Sequence, residues 1–576
     1  MKMNRILSFS LATVLAVTVL VGCGGSTESA ETSETPAANT EQASPEAQAA
    51  ESEPAAEGEE QYLNDYLDAE PATLDPSKIA DQYGNSVINN LTEKLTVYQL
   101  DENGNTEIAP AGAESWEITE NDTVYTFKLR ENYWQDGTKV TAADYEYGIK
   151  RTLDPVTGSP SSYLLFPILN ATKVNAGELP VEELGVKALD ENTLEITLEG
   201  STPYFLSLTY QNGMSPLRQD IVEQYGDKYG SEAEFMMTNG PFNLTSWTHN
   251  SELVLTKNEN YWDKDNVRLD TVNFAILQDE NARHNSFDNN SVDVMATSTE
   301  EWVGRFEQKE GVKPDFYTLT QTNYSFFNVN DEVFSNENIR KAFILSIDRE
   351  GFNDALWSGY LQPAYGWVPP GLAVGDDIYR DVVEEPLRVL AEENTDAKAL
   401  LLKGMEELGL GSDPNALTVT WSLGGTDQRM RTVGEFFQQT LKNNLGVNLE
   451  IELNDWPMFQ SKIVAGEFQI GYMAWGAEYN DPYSMLSLLM SNSNAINTGW
   501  VNEEYDAILV EASTEMDDAK RMELYKEAEF MMLHDHAVMN PVLYSTANLF
   551  IYSYVKNYPN RPQLSAGLKH VYIDGR

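Results

Sequence analysis

The chain has 576 residues, 38 of them Lys or Arg against 91 Asp or Glu, and a formal net charge of −53. No basic stripe is available to hold a phosphate backbone, which excludes nucleic acid as a partner. With one cysteine in the whole sequence no internal disulfide can form, so the fold depends on its apolar core, and a chain of this length can build one in more than one domain.

In chain order, Lys2 and Arg5 precede an acid-free apolar run from Ile6 to Val21. These are the parts of a secretory signal peptide, and the run, about 16 residues, is shorter than the roughly 20 that a spanning helix needs. Leu20-Val21-Gly22-Cys23 resembles the lipobox of bacterial lipoproteins. The resemblance implies that residues 1–22 are a lipoprotein signal peptide and that Cys23 carries lipid, fixing the chain to the extracytoplasmic face of the cell membrane at about 0.8 kcal/mol per buried CH2. From Gly24 to Glu60 there are ten glutamates, no Lys or Arg, and no Leu, Ile, Val or aromatic residue. Such a stretch has nothing to bury, so residues 23–60 are expected to form a disordered acidic tether with a coil span of roughly 35 Å.

Beyond Gln61 strands and helices mix. Trp116–Thr119 and Thr123–Arg130 alternate as two half-buried strands joined by a turn at Glu120-Asn121-Asp122. Asp136-Gly137 predicts a turn and Thr141 a helix cap, with that helix closing at Leu153 before Asp154-Pro155. Alternation recurs at Leu194–Leu198 and Leu253–Thr256. The richest region runs from Leu417 to Met490: strand Leu417–Leu423, helix Gln428–Leu445 with Met430, Val433, Phe437 and Leu441 on one face, strand Val447–Leu453, helix Trp456–Ala465 and strand Phe468–Trp475. This β-α-β-α-β order predicts parallel strands joined by right-handed crossovers. Open α/β sheets bind ligands beyond the carboxyl ends of their strands, which makes Asp427, Arg429, Trp456, Trp475, Glu478 and Asp481 site candidates. Five of the six also have a plainer reading: the tryptophans as core, Asp427 as a helix cap, Asp481 before Pro482 as a turn residue, and Glu478 as a solvated carboxylate.

Catalytic signatures are scarce. No Walker loop, G-x-S-x-G, G-x-G-x-x-G or H-E-x-x-H occurs, and no cysteine other than Cys23 could act as nucleophile. His534 and His536 would diverge on the helix that Leu524–Leu533 predicts, which disfavours a shared metal. Carboxylates are too many for a glycosidase pair to be chosen among them. No cofactor is expected.

Ala113–Trp116, Thr126–Arg130, Trp134–Gly137 and Val140–Asp144 together resemble the signature of the peptide and nickel branch of extracellular solute-binding proteins of ABC importers. Asn239–Phe242 with Trp247, Asn260–Trp262, Asn338–Ala342 with Ile347–Arg349, Pro363–Gly366 and Arg521–Tyr525 continue it in the family's order. The resemblance implies an α/β, two-lobed periplasmic-binding-protein-like (type II) fold with an extra domain inserted in the first lobe. Residues 61–85, 211–322 and 546–576 would form lobe I, 86–210 the inserted domain and 323–545 lobe II.

The implied function is capture of a small-molecule ligand, short peptides, between the lobes of a monomer that serves an ABC permease in the membrane. By the resemblance Glu478 stands where an aspartate pairs with the peptide's α-amino group, Trp456 and Trp475 match contact tryptophans, Glu70 matches a first-lobe glutamate and Tyr163 lies near a ligand-facing tyrosine. Two arginines of the family's second lobe are here Ile463 and Tyr472, so Arg429 becomes the candidate for the ligand carboxylate. Two other readings stand beside this one: the same fold binding an oligosaccharide, metal chelate or haem-like ligand, and a secreted hydrolase.

Overall fold

Alternating burial starts the folded body. In a computed structural model, residues 60–100, 106–493, 495–559 and 567–576 are described; the predicted signal peptide, Cys23 and the tether up to residue 59 lie outside them. β1 (Tyr62–Leu67) turns Leu63 and Leu67 into a first core. α1 (Gln82–Ile88), capped by Asp81 accepting from the Gly84 amide at 2.8 Å, adds Val87 and Ile88 to it.

The chain then leaves that core. β2 (Thr96–Leu100) and β3 (Thr106–Pro110) pair as a hairpin, and β4 (Ala113–Thr119), β5 (Val124–Leu129), β6 (Val186–Asp190) and β7 (Thr193–Thr197) form an antiparallel sheet in the order β4-β5-β7-β6. The predicted β4–β5 turn holds Glu120, Asn121 and Asp122 at φ 55°, 56° and 63°, a left-handed region that Asn and Asp tolerate better than most side chains. α2 (Ala142–Leu153) begins after Thr141, whose amide donates to Asp144 at 2.8 Å, half of a capping box. Phe127, Trp134, Tyr145, Ile149 and Phe205 are among the residues of this unit's own core. β8 (Phe242–Thr248), β9 (Glu252–Lys257) and β10 (Thr271–Ile276) then return to the first core as the sheet β1-β10-β9-β8, with β1 parallel to β10. A strand at residue 62 and one at residue 271 are therefore neighbours, and everything between them that forms its own core is an insertion in the first lobe.

Two long strands connect the lobes. β11 (Val294–Ala296) and β12 (Val312–Phe327) come first. β13 (Thr418–Gly424), α3 (Gln428–Asn444), β14 (Asn448–Asn454), α4 (Trp456–Ala465) and β15 (Ile470–Gly476) follow as the predicted β-α-β-α-β unit, with β13 parallel to both β14 and β15. After α5 (Asp518–Phe530), β16 (Met539–Tyr552) runs back antiparallel to β12, and the sheet is ordered β11-β16-β12-β15-β13-β14. At one end of β16, Leu549 and Ile551 belong to the first core. At the other, Met539, Val542 and Leu543 pack with Tyr324, Phe326 and Phe327 of β12 in the second-lobe core. Between them the register shifts from Thr318 opposite Thr546 to Thr322 opposite Tyr544, a bulge where the strands pass from lobe to lobe.

Local sequence explains the second lobe. Val433, Phe437 and Leu441 bury one face of α3, and Phe437 stacks on Trp421 of β13 with ring centroids 4.1 Å apart. Gly434 permits the close seating of α3 on β14, because a Cβ there would lie 2.7 Å from Ile451. Asp427 and Asp455 cap α3 and α4 by accepting from the Met430 and Met458 amides, each at 3.0 Å; the capping role foreseen for Asp427 is the one it performs. The fold is α/β and two-lobed, as the sequence predicts.

Candidate functional site

The loop after β15 carries Glu478 to the meeting place of three parts of the chain. Its amide donates to the Ser484 hydroxyl at 2.8 Å, and its carbonyl accepts from Gln211 at 2.7 Å. Tyr479 and Tyr483 each stack on Tyr204, at 5.0 and 5.3 Å, which seats this second-lobe loop against the inserted unit. Alongside, the Ala477 amide donates to Thr320 at the strand crossing.

Glu478 borders two cavities. One, of about 240 Å3, is walled by Asn85, Asn89, Tyr98, Tyr210, Gln211, Asn212 and Thr320 among others. The second, about 150 Å3, shares Asn85, Gln211 and Asn212 and adds Tyr163 and Leu164. The Glu478 side chain is open to this cleft, yet the surrounding walls desolvate it enough to raise its carboxyl above the usual range, opposed only by the Tyr163 hydroxyl. No cation lines either cavity among the described residues. Side-chain amides dominate the polar wall. Asn212 donates to Asn85 at 2.5 Å, and its own Oδ1 is buried with no partner. A carboxylate with the Tyr163 hydroxyl beside it but no cation lining its cavities, and with side-chain amides around it, suits a ligand that brings an ammonium group and backbone amides.

A third cavity, about 160 Å3, lies at the carboxyl ends of the parallel strands. Trp456, Phe459, Ile463, Val464, Met473 and Trp475 make it largely apolar. Trp456 is 47% exposed and lies over Gly424, where a Cβ would come within 2.8 Å of its ring. Trp475 keeps its Nε1 buried without an acceptor.

The remaining sequence candidates lie elsewhere. Tyr472 is 5% exposed and packs edge-on against Phe437 at 5.7 Å; as the neighbour of Met473 on a strand it points to the opposite face, under α3. Asp481 is 2% exposed, accepts from the Tyr483 amide at 2.8 Å and stands 3.8 Å from Arg521. Burial pushes its carboxyl up to about 6 although Arg521 opposes the shift, so it serves the turn and the α5 anchor. Glu70 is saturated: Trp247 Nε1 donates at 2.8 Å, the Asn250 amide at 2.7 Å, and His249 Nδ1 lies at 2.6 Å. Arg429 is exposed in the first turn of α3, has no ion pair among the described residues and lines none of these three cavities. The structure therefore groups Glu478 with Tyr163, and Trp456 with Trp475. The amide wall of Asn85, Asn89, Gln211 and Asn212 and the rings of Tyr98 and Tyr210 were not foreseen. The spacing of Asn85 and Asn89, four apart on a helix, was the available signal.

Comparison with known proteins agrees with this architecture. Residues 107–497 match the family described as bacterial extracellular solute-binding proteins, family 5 Middle. The dipeptide-binding protein DppE of Bacillus subtilis is 33% identical over 491 residues, covering 85% of this chain and 87% of its own. The periplasmic oligopeptide-binding protein OppA of Salmonella typhimurium is 30% identical over 520 residues, with 88% and 91% covered. The structure of Listeria monocytogenes OppA bound to peptide superposes with a TM-score of 0.72 at 31% identity, over 90% of this chain and 100% of that one. These relatives are solute-binding proteins and not enzymes, which removes the hydrolase reading. The chain belongs to family 5 of the bacterial extracellular solute-binding proteins.

Proposed function

We propose that this protein captures short peptides between its two lobes and delivers them to an ABC permease, held at the extracytoplasmic face of the membrane by lipid on Cys23. The observation that carries the reading is Glu478: a carboxylate crowded by cleft walls, without a protein cation, among side-chain amides that can pair with a ligand backbone. A neutral oligosaccharide has no positive charge to match such a group, and the relatives' names, dipeptide-binding and oligopeptide-binding, favour the peptide class. Main-chain hydrogen bonds would supply affinity, while the apolar pocket of Trp456, Ile463 and Trp475 would receive a side chain. Arg429 would take the ligand carboxylate; its support is its place beyond the carboxyl end of β13 and its freedom from an ion pair among the described residues.

Calorimetric titration with synthetic tri- to pentapeptides tests this. Glu478→Ala is expected to weaken binding at least tenfold and Arg429→Ala to weaken it as well. If Arg429→Ala leaves affinity unchanged, the carboxylate role falls; if no peptide binds the unaltered chain, the peptide reading falls with it.

A further inference from the structure

The roomiest of the described cavities, about 480 Å3, is not the cleft. It lies behind the cleft's first cavity, from which Tyr98 and Tyr210 divide it, their rings packed edge to face at 5.2 Å. Its volume falls within the roughly 300–1,000 Å3 of small-molecule sites. Four separated stretches build it: the β2–β3 hairpin with Val97 and Pro110, the chain at Tyr210, the segment after β9 with Tyr261 and Trp262, and the last residues with Asn557, Lys569 and His570.

Its polar groups are unevenly satisfied. The acceptors are taken. Glu93 receives Trp262 Nε1 at 2.8 Å and the Tyr261 hydroxyl at 3.1 Å, and Asp263 receives Asn266 at 2.6 Å and faces Lys569 at 2.5 Å. Donors remain to be used. The Lys569 ammonium has three hydrogens and Asp263 as its one ion-pair partner among the described residues, and it stands 4.7 Å from the Trp262 ring. His570, also in the wall, makes no hydrogen bond among the described residues. Arg130 lies 4.2 Å over Trp262 as a second cation on that ring. In a chain of net charge −53, an aromatic chamber whose wall offers one ammonium, Lys569, and one imidazole, His570, held toward its neutral form by burial and the Lys569 charge, while Glu93 and Asp263 are already hydrogen-bonded, favours a solute that brings an acceptor.

We infer that this chamber is a second binding site, for a small carboxylate with an apolar body, whose head meets Lys569 and His570 while its tail lies against Val97, Tyr98, Tyr261 and Trp262. With the rings of Tyr98 and Tyr210 in contact in the wall that both cavities share, the inferred occupant is a free solute and not the end of a peptide held in the cleft. This site does not depend on the peptide reading.

Octanoate and its neutral isostere octanamide, titrated calorimetrically into the full chain, test it. Octanoate is expected to bind one to one and octanamide at least tenfold more weakly. Lys569→Gln should weaken octanoate at least tenfold, and Val97→Trp, made at a position 37% exposed to fill the chamber, should abolish it; both variants should keep the unaltered peptide affinity, and Val97→Trp the unaltered melting temperature as well. Equal binding of the two probes, no binding of octanoate, or indifference to both variants overturns the site. If octanoate competes with a free-acid pentapeptide but not with its C-terminal amide, the chamber belongs to the peptide's end and the inference is overturned. Absence of all peptide binding, with octanoate bound as described, would refute the proposed function and leave this site standing.

Discussion

Blocking the ligand's amino group tests Glu478 most sharply. A free peptide would place its ammonium against a carboxylate that otherwise has only the Tyr163 hydroxyl nearby. A hydrogen bond to a charged group contributes about 1.5–3 kcal/mol net, and the openness of Glu478 to the cleft argues against the larger figures of fully buried pairs. An N-acetylated peptide should therefore bind roughly 10- to 150-fold more weakly than its free counterpart. Acidity should act through the same contact. The carboxyl is raised in the free protein by desolvation, and an ammonium in the site would hold it ionised and lower its pKa, so binding releases a proton when the free carboxyl is protonated. Affinity should stay level above the free-protein pKa, fall as pH drops through it, and fall again above about 8 as the peptide amine loses its proton. Calorimetry with matched free and acetylated tripeptides across pH 4–9 reads both effects. Glu478→Gln should unfold no more easily than the unaltered chain, since the carboxylate is penalised by its surroundings, and this separates binding from folding. Acetylated and free peptides within twofold of each other, or a flat pH profile, would refute the reasoning.

Further expectations concern the scaffold. Glu529 is fully buried on α5, accepting from the Trp367 and Val368 amides at 2.7 and 2.9 Å, the Tyr379 hydroxyl at 3.0 Å and Arg380 at 2.6 Å; Glu529→Ala strands the Arg380 charge and should cost about 3–5 kcal/mol in urea unfolding, and a loss below about 1 kcal/mol would contradict that. Gly471 on β15 lies against Phe326, whose ring would be 2.3 Å from an added Cβ; Gly471→Ala should cost about 1–3 kcal/mol by overpacking, and an unchanged denaturation midpoint would count against it. Burial raises Asp65 from 3.8 to about 6, so the folded state holds its proton more tightly than the unfolded state. Stability from this group is full below the unfolded value and lost as pH rises through about 6; melting temperature should rise on acidification from pH 7 to 5, and Asp65→Asn should flatten part of that slope. An unaltered slope in the variant would rule the group out.

The second lobe was legible because its signals are local. Apolar spacing on α3, a capping aspartate at 427 and apolar strand runs on either side of that helix set each boundary within a few residues, and parallel pairing followed from right-handed crossovers. Hairpin β4–β5 was readable for the same reason: alternation interrupted by three polar residues that accept left-handed backbone. The site was only half legible. Strand-end logic found Glu478, Trp456 and Trp475, but the cleft's amide wall joins α1, the chain around residue 211 and the loop at 478, segments that become neighbours only after the insertion folds back. Glu70 and Asp481 show the converse. Each looks available in sequence, and each is occupied by partners far along the chain, His249 and Trp247 in one case and Arg521 in the other. Tyr472 illustrates a third limit: its neighbour Met473 reaches the apolar cavity, and the strand's two-residue alternation sends Tyr472 under α3 instead.

Denaturing the purified protein and identifying the small molecules released from it by mass spectrometry tests the central claim directly. A mixture of short peptides bearing free amino termini is the expected result; a single sugar, chelate or porphyrin with no peptide would contradict it.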